Sequence, residues 1–156
     1  MFHKIIVTGL AALALVQCSP KPAAPPAPAS AKPVDFAPNF AYDIALHIKP
    51  EATAKAKTLV IAAKYYGLPR PETANQATAA GVIEFNTDTV EISATDQTIH
   101  MTGAGMPKDR LKDITGGAPL VQITVKDKAG RIGCSVFQDY VKTAQAKPVG
   151  IWCGLN

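Results

Sequence analysis

Beyond residue 39, polar and apolar residues alternate with period two almost throughout, the pattern of strands with one buried and one wet face. Tyr42, Ile44, Leu46 and Ile48 alternate with Asp43, Ala45, His47 and Lys49. Residues 58–66 form the most apolar stretch, with Leu59, Ile61, Ala63 and Tyr65 on one face and Val60, Ala62, Lys64 and Tyr66 on the other. Gly67-Leu68-Pro69-Arg70-Pro71 stops it. Residues 82–86 and 90–93 predict two short strands around the turn-like Asn86-Thr87-Asp88. Residues 98–102 turn Ile99 and Met101 inward, and residues 120–126 do the same with Val121, Ile123 and Val125. Asp127-Lys128-Ala129-Gly130 predicts a hairpin turn, and residues 132–141 and 149–155 supply the last two strands. Residues 50–56 and 106–114 each suit a short helical turn, while residues 72–80 predict a loop without regular structure. About eight short strands and no long helix predict an all-β fold, an antiparallel β-sandwich.

The first 38 residues follow different patterns. After Met1-Phe2-His3-Lys4, residues 5–16 carry no charge. That run has the length of a signal-peptide core and falls short of the roughly 18 residues that span a bilayer. Residues 19–38 are rich in Pro and Ala, which fix the backbone and bury little, so they predict an extended polyproline-like spacer of about 3 Å per residue. Three segments result: a signal peptide at 1–17, Cys18 with its linker at 18–38, and a β-sandwich domain at 39–156.

Leu15-Val16-Gln17-Cys18 closes the apolar run. It resembles the lipobox of bacterial lipoproteins, the class cut by signal peptidase II; Gln17 departs from the small residue usual at that site. The resemblance implies that the thiol of Cys18 carries a diacylglyceryl group, that the chain is cut just before it, and that the new amine is acylated. Two or three acyl chains hold a protein stably where one holds it only marginally. The implied partner is therefore the membrane, reached through lipid on Cys18. Ser19, in place of Asp, resembles the sequences sent to the outer membrane, with the domain facing the periplasm.

Charge narrows the partners. The formal net charge is +4. Losing Lys4 removes one unit, and Lys21 and Lys32 belong to the linker, so the folded part is near neutral. No basic run with interleaved aromatics is present, so nucleic acid is not implied.

With Cys18 assigned to lipid, Cys134 and Cys153 remain as an even pair in an oxidising compartment. If the last two strands pair antiparallel around residues 142–147, Ile132 faces Leu155, Cys134 faces Cys153 and Val136 faces Ile151. All six would then point to the core side. A disulfide follows, with a slip of two residues or a link between sheets as the other possible geometries.

Chemistry needs a nucleophile with a base, paired carboxylates or a metal site. His47 and His100 lie on polar strand faces. Ser93 and Ser135 lack a Gly-x-Ser-x-Gly setting, no His-x-x-x-His or Cys cluster has metal spacing, and Glu84, Asp88 and Glu91 read as a wet face. The expectation is a protein that is no enzyme and takes no cofactor. Partner binding has better candidates: Tyr65, Tyr66 and Arg70 beside the stiff Gly67–Pro71 turn, and Trp152 between Gly150 and Gly154, out of phase with Ile151 and Cys153. Tyr, Trp and Arg are enriched at interface hot spots. Tyr-Tyr-Gly-x-Pro at a strand end, with a cysteine pair in the last two strands, resembles small uncharacterised periplasmic β-sandwich domains of Gram-negative bacteria; that resemblance implies a fold and no activity. The expected function is a non-catalytic envelope lipoprotein presenting a binding surface to a periplasmic or envelope partner. The alternative is an inhibitor or immunity protein against a cell-wall-degrading enzyme such as lysozyme, with the Tyr/Arg loop entering a cleft.

Overall fold

The computed structural model describes residues 39–156; the signal segment, Cys18 and the Pro/Ala-rich linker lie outside the described residues. The strands are β1 (Tyr42–Ile48), β2 (Thr58–Gly67), β3 (Ile83–Ser93), β4 (Gln97–Met101), β5 (Leu120–Lys126), β6 (Ile132–Cys134), β7 (Phe137–Tyr140) and β8 (Val149–Leu155). Two short helices, α1 (Pro50–Thr53) and α2 (Val141–Ala146), accompany them. The strands build two four-stranded sheets, ordered β4-β1-β8-β6 and β3-β2-β5-β7. This is the all-β sandwich that the alternation predicts. Ile44, Leu46, Val149 and Ile151 of the first sheet share one buried core with Leu59, Ile61, Val121 and Ile123 of the second. Burying each such side chain stabilises the fold by about 1.5–3 kcal/mol relative to exposure.

Several elements differ from the sequence expectation, each for a physical reason. Residues 83–93 form one strand, where a turn at Asn86-Thr87-Asp88 was expected. The pairing of β2 with β3 shifts between Lys64, which faces Thr87, and Tyr66, which faces Glu84. Phe85 and Asn86 therefore share the place opposite Tyr65, which is a β-bulge. The extra residue reverses the phase of β3: Ile83 and Phe85 face the core before it, Val90 and Ile92 after it. That reversal mimics a turn in the sequence, and it also turns Asp88 inward. Residues 71–76 form a 3-10 turn instead of irregular loop.

The sheets are not purely antiparallel, because β8 runs parallel to β1, with His47 beside Trp152. Asp127 to Gly130 makes a turn, with Gly130 at φ 68°, but it carries the chain from one sheet to the other and so is not a hairpin. The expected strand at 132–141 splits for the same reason. β6 pairs with β8 in the first sheet, and β7 pairs with β5 in the second. Strands that change sheets make the corners of such sandwiches. Val136 sits in the changeover and is exposed, so its expected pairing with Ile151 does not form; Leu155 is exposed as well.

The predicted register of β6 against β8 is present: Ile132 faces Leu155 and Cys134 faces Cys153. Ser135 N–H donates to the Trp152 carbonyl at 2.9 Å. Alternation then makes Cys134 and Cys153 a non-hydrogen-bonded pair, in which opposite Cα atoms come closest. Their Cα atoms are 4.1 Å apart, and the two are joined by a disulfide.

Asp127 secures the turn into β6. Its carboxylate accepts from the Ile132 amide at 3.1 Å and from Arg131 Nε at 3.3 Å. Burial alone would raise this carboxyl. The amides of Ile132 and Arg131, with the Arg131 guanidinium, outweigh it and hold the group below the ordinary carboxylate value.

Two predictions follow from these contacts. Replacing both Cys134 and Cys153 by Ala frees a loop whose ends are 19 residues apart and should lower stability by about 3 kcal/mol, read as a lower denaturant midpoint. Because Asp127 is lowered in the folded state, its stabilisation is present above about pH 4 and is lost as pH falls through the lowered value. In denaturant titrations taken between about pH 5 and pH 2, Asp127→Asn should lose less stability than the parent; parallel acid limbs would refute the assignment.

Candidate functional site

Neighbouring strand residues point to opposite faces, so Tyr65 and Tyr66 leave β2 on different sides of the second sheet. Tyr65 is fully buried between the sheets. Its hydroxyl lies 3.2 Å from that of Tyr42 in the other sheet and donates to Asp88 Oδ2 at 3.1 Å. Burial pushes the Tyr42 hydroxyl up to about 12. Burial pushes Tyr65 higher still, helped by its bond to Tyr42 and by the nearby Asp88 charge. Both phenols therefore stay neutral and act as a polar tie across the core. Tyr66 is only 9 % exposed, and its hydroxyl has no partner among the described residues. Neither tyrosine offers a partner the surface that the sequence suggests.

The turn after β2 is held down. Thr115 N–H donates to the Leu68 carbonyl at 2.8 Å, and the Thr115 hydroxyl donates to the Pro69 carbonyl at 3.0 Å. Arg70 remains half exposed. Its guanidinium donates to the Lys112 carbonyl at 3.3 Å and lies 3.4 Å from Glu72. The result is one wall of an open cavity of about 650 Å³, shared with Leu111, Lys112 and Ile114. It is not a projecting arm.

The titratable groups are dispersed. Glu84 pairs with Lys64 at 2.6 Å and Glu91 with Lys128 at 3.3 Å, while Asp88 faces Tyr65. His100 meets Asp43 at 2.9 Å as an exposed cross-strand pair. Among the described residues no three His, Cys, Asp or Glu side chains gather as a metal site.

Trp152 is different. It is 62 % exposed on the outer face of β8, and its strand neighbours on that face are Gly150 and Gly154. A Cβ at Gly150 would collide with the indole rim, so that glycine lets the ring lie close to the sheet. The parallel pairing places His47 beside Trp152, and the two rings stack with centroids 5.4 Å apart and planes 21° from parallel. On the other edge of β8, Ser135 Oγ accepts the Trp152 amide at 3.0 Å. The disulfide fastens the next residue to β6 from the opposite face. A shallow cavity of about 280 Å³ adjoins the ring, lined by His47, Lys49, Asp96, Trp152 and Gly154. Asp96 is oriented there by the Ile48 amide, which donates to its Oδ1 at 2.6 Å.

Of the four residues expected to bind a partner, then, the structure keeps Arg70 and Trp152 at the surface, buries Tyr65 between the sheets and covers Tyr66 on the other side of the second sheet. Lys49 and Asp96, and the role of His47 as a stacking partner, are additions that come from the β1–β8 pairing. The phase of Trp152 and the glycines around it are the signals of this site in the sequence. No family model matches the chain, and neither a curated protein nor a solved structure is found to resemble it.

Proposed function

We propose that the chain is a non-catalytic lipoprotein of the bacterial envelope, anchored through Cys18, with the outer sheet face around Trp152 as its contact surface. One observation carries the contact surface. The chain's single tryptophan is held rigidly in the open, stacked on His47 and bonded at its backbone to Ser135. Leaving so large an apolar ring in water forgoes the burial that other core aromatics gain. A rigid exposed indole is also a favoured interface anchor, since little side-chain freedom is lost when it is covered. The lipobox residues support the anchor, and a disulfide suits an oxidising compartment outside the cytoplasm. The inhibitor reading draws less support, because its Tyr/Arg loop is tied down and both of its tyrosines are covered.

Two experiments check the two halves of this proposal. In cells expressing the full chain, radioactive palmitate should label the protein and should not label Cys18→Ser, and globomycin should accumulate the uncut precursor. Absence of label on the parent would remove the anchor. For the contact surface, oxidative footprinting compares intact cells with the purified full chain in detergent. Trp152 should be modified several-fold more slowly in cells, while the exposed Tyr140 reacts equally in both. Equal modification of Trp152 would remove the contact surface.

A further inference from the structure

We infer that the Trp152 platform is a glycan-binding subsite, taking one pyranose ring of a hexose or N-acetylhexosamine polymer against the indole face. This rests on the proposal that the face around Trp152 is the contact surface, and it names the class of ligand.

The size of the apolar patch is the first argument. A stable protein contact buries about 800 Å² on each partner around a desolvated apolar centre. The outer face of the first sheet offers one large apolar side chain, Trp152. Around it stand Gly150 and Gly154 on β8, Asp43, Ala45 and His47 on β1, Thr98 and His100 on β4, Gly133 on β6, and Ser135 just past the end of β6. Val136 and Leu155 are exposed beyond β6 and at the end of β8, but the outer face itself offers one large apolar ring, which matches one flat ring of a ligand better than the core of a protein interface. The second argument is chemical. The axial C–H groups of a pyranose make an apolar face with slight positive charge, and the indole face is the negative end of its quadrupole. The ring's hydroxyls, at its edge, then need donors and acceptors beside the tryptophan. Asp96 and Lys49 line the same cavity. Asp96 uses Oδ1 for the Ile48 amide, and a carboxylate retains further acceptor sites beyond that bond. Lys49 supplies an ammonium donor. A few fixed polar groups around an apolar floor are the usual make-up of a small-ligand site.

The third argument is preorganisation. His47 stacks on the indole, Gly150 lets the ring lie close to the strand, and the backbone of Trp152 is engaged on one edge by β1 and on the other by Ser135. A platform that does not reorganise retains more of a weak stacking energy. Nucleic-acid bases also stack on aromatics, but such sites run along a basic groove. Here the cavity residues include one lysine against one aspartate.

The single tryptophan makes the test direct, because all indole emission comes from the site. The full chain in detergent is titrated with chitotetraose and with cellotetraose. The expected result is a saturable change in emission with at least one of them. Asp96→Ala should weaken it about tenfold or more. Gly154→Val keeps the reporter and fills the cavity floor; a Cβ there meets the Lys49 stem at 3.5 Å, an ordinary contact, and the emission change should vanish. Trp152→Ala, followed by saturation-transfer NMR on the sugar protons, should abolish transfer, with a cooperative denaturant transition showing that the variant is folded. No emission change with either oligosaccharide, or a change that survives Gly154→Val, would overturn the glycan assignment. If Trp152 is nevertheless protected in intact cells, the contact surface stands and its ligand is of another class; if it is unprotected as well, both fall.

Discussion

The strand β8 is held from both edges, by β1 along Val149–Cys153 and by β6 along Cys153–Leu155 with Ser135 beside Trp152, and the rest of the sandwich is arranged around that fact. Around Trp152 and Cys153 the backbone is engaged on both edges, so the two faces of the strand are fixed relative to one another there. In β8 the inner face is Val149, Ile151 and Cys153, all buried, and the outer face is Gly150, Trp152 and Gly154. The disulfide joins β8 to β6 and the parallel ladder joins it to β1. Ile151 anchors the strand in the core, and the same backbone holds Trp152 outward one residue later. A one-residue slip would exchange these faces and bury the tryptophan side in the core. The disulfide restricts that slip from one edge, and the stacking of His47 on Trp152 rewards the correct register from the other.

The polar groups inside the sandwich have a comparable effect on the second sheet. Asp88 faces inward only because the bulge at Phe85 and Asn86 changes the phase of β3. Once inside, it accepts from Tyr65, which also meets Tyr42 across the sheets. Hydrocarbon side chains alone would let the sheets slide over one another at modest cost. A hydrogen-bonded chain from Tyr42 through Tyr65 to Asp88 has one satisfied geometry, and a buried polar group left unpaired costs about 1–3 kcal/mol. Asp127 does the same for the crossing into β6, where it receives the Ile132 amide.

Most of the strands were legible because period-two alternation survives wherever a strand keeps one face wet. Tyr42 to Ile48 and Leu120 to Lys126 read correctly for that reason. The failures share another cause, which is that alternation reports a face but not a partner. Residues 132–141 alternate continuously, yet the chain changes sheets at Ser135 and Val136, and only the tertiary arrangement tells which sheet each half joins. The parallel pairing of β1 with β8 was invisible because it joins residues about a hundred apart in sequence. The same blindness applied to the candidate site. The phase of Trp152 and its flanking glycines marked an outer position, but the contact with His47 depends on that long-range pairing. Tyr65 and Tyr66 misled because enrichment at interfaces is a property of exposed tyrosines, and exposure at a strand end depends on what covers it.

A single stacking site binds weakly, which raises the question of how it would serve an anchored protein. On the proposed reading, the answer lies in the first 38 residues. A domain held at the membrane by acyl chains searches a thin layer, and its effective concentration against a polymer in that layer is set by the tether and not by the bulk. The Pro/Ala-rich segment of about twenty residues allows a reach of several tens of Å if it is extended. Within that reach, even a weak site is occupied for much of the time. It also releases readily, since each contact is one ring on one indole. Tight binding would need a larger apolar centre, which the glycines around Trp152 exclude. On that reading the outer face of β8 suits repeated, reversible contact with a polymer near a membrane better than permanent assembly with one protein.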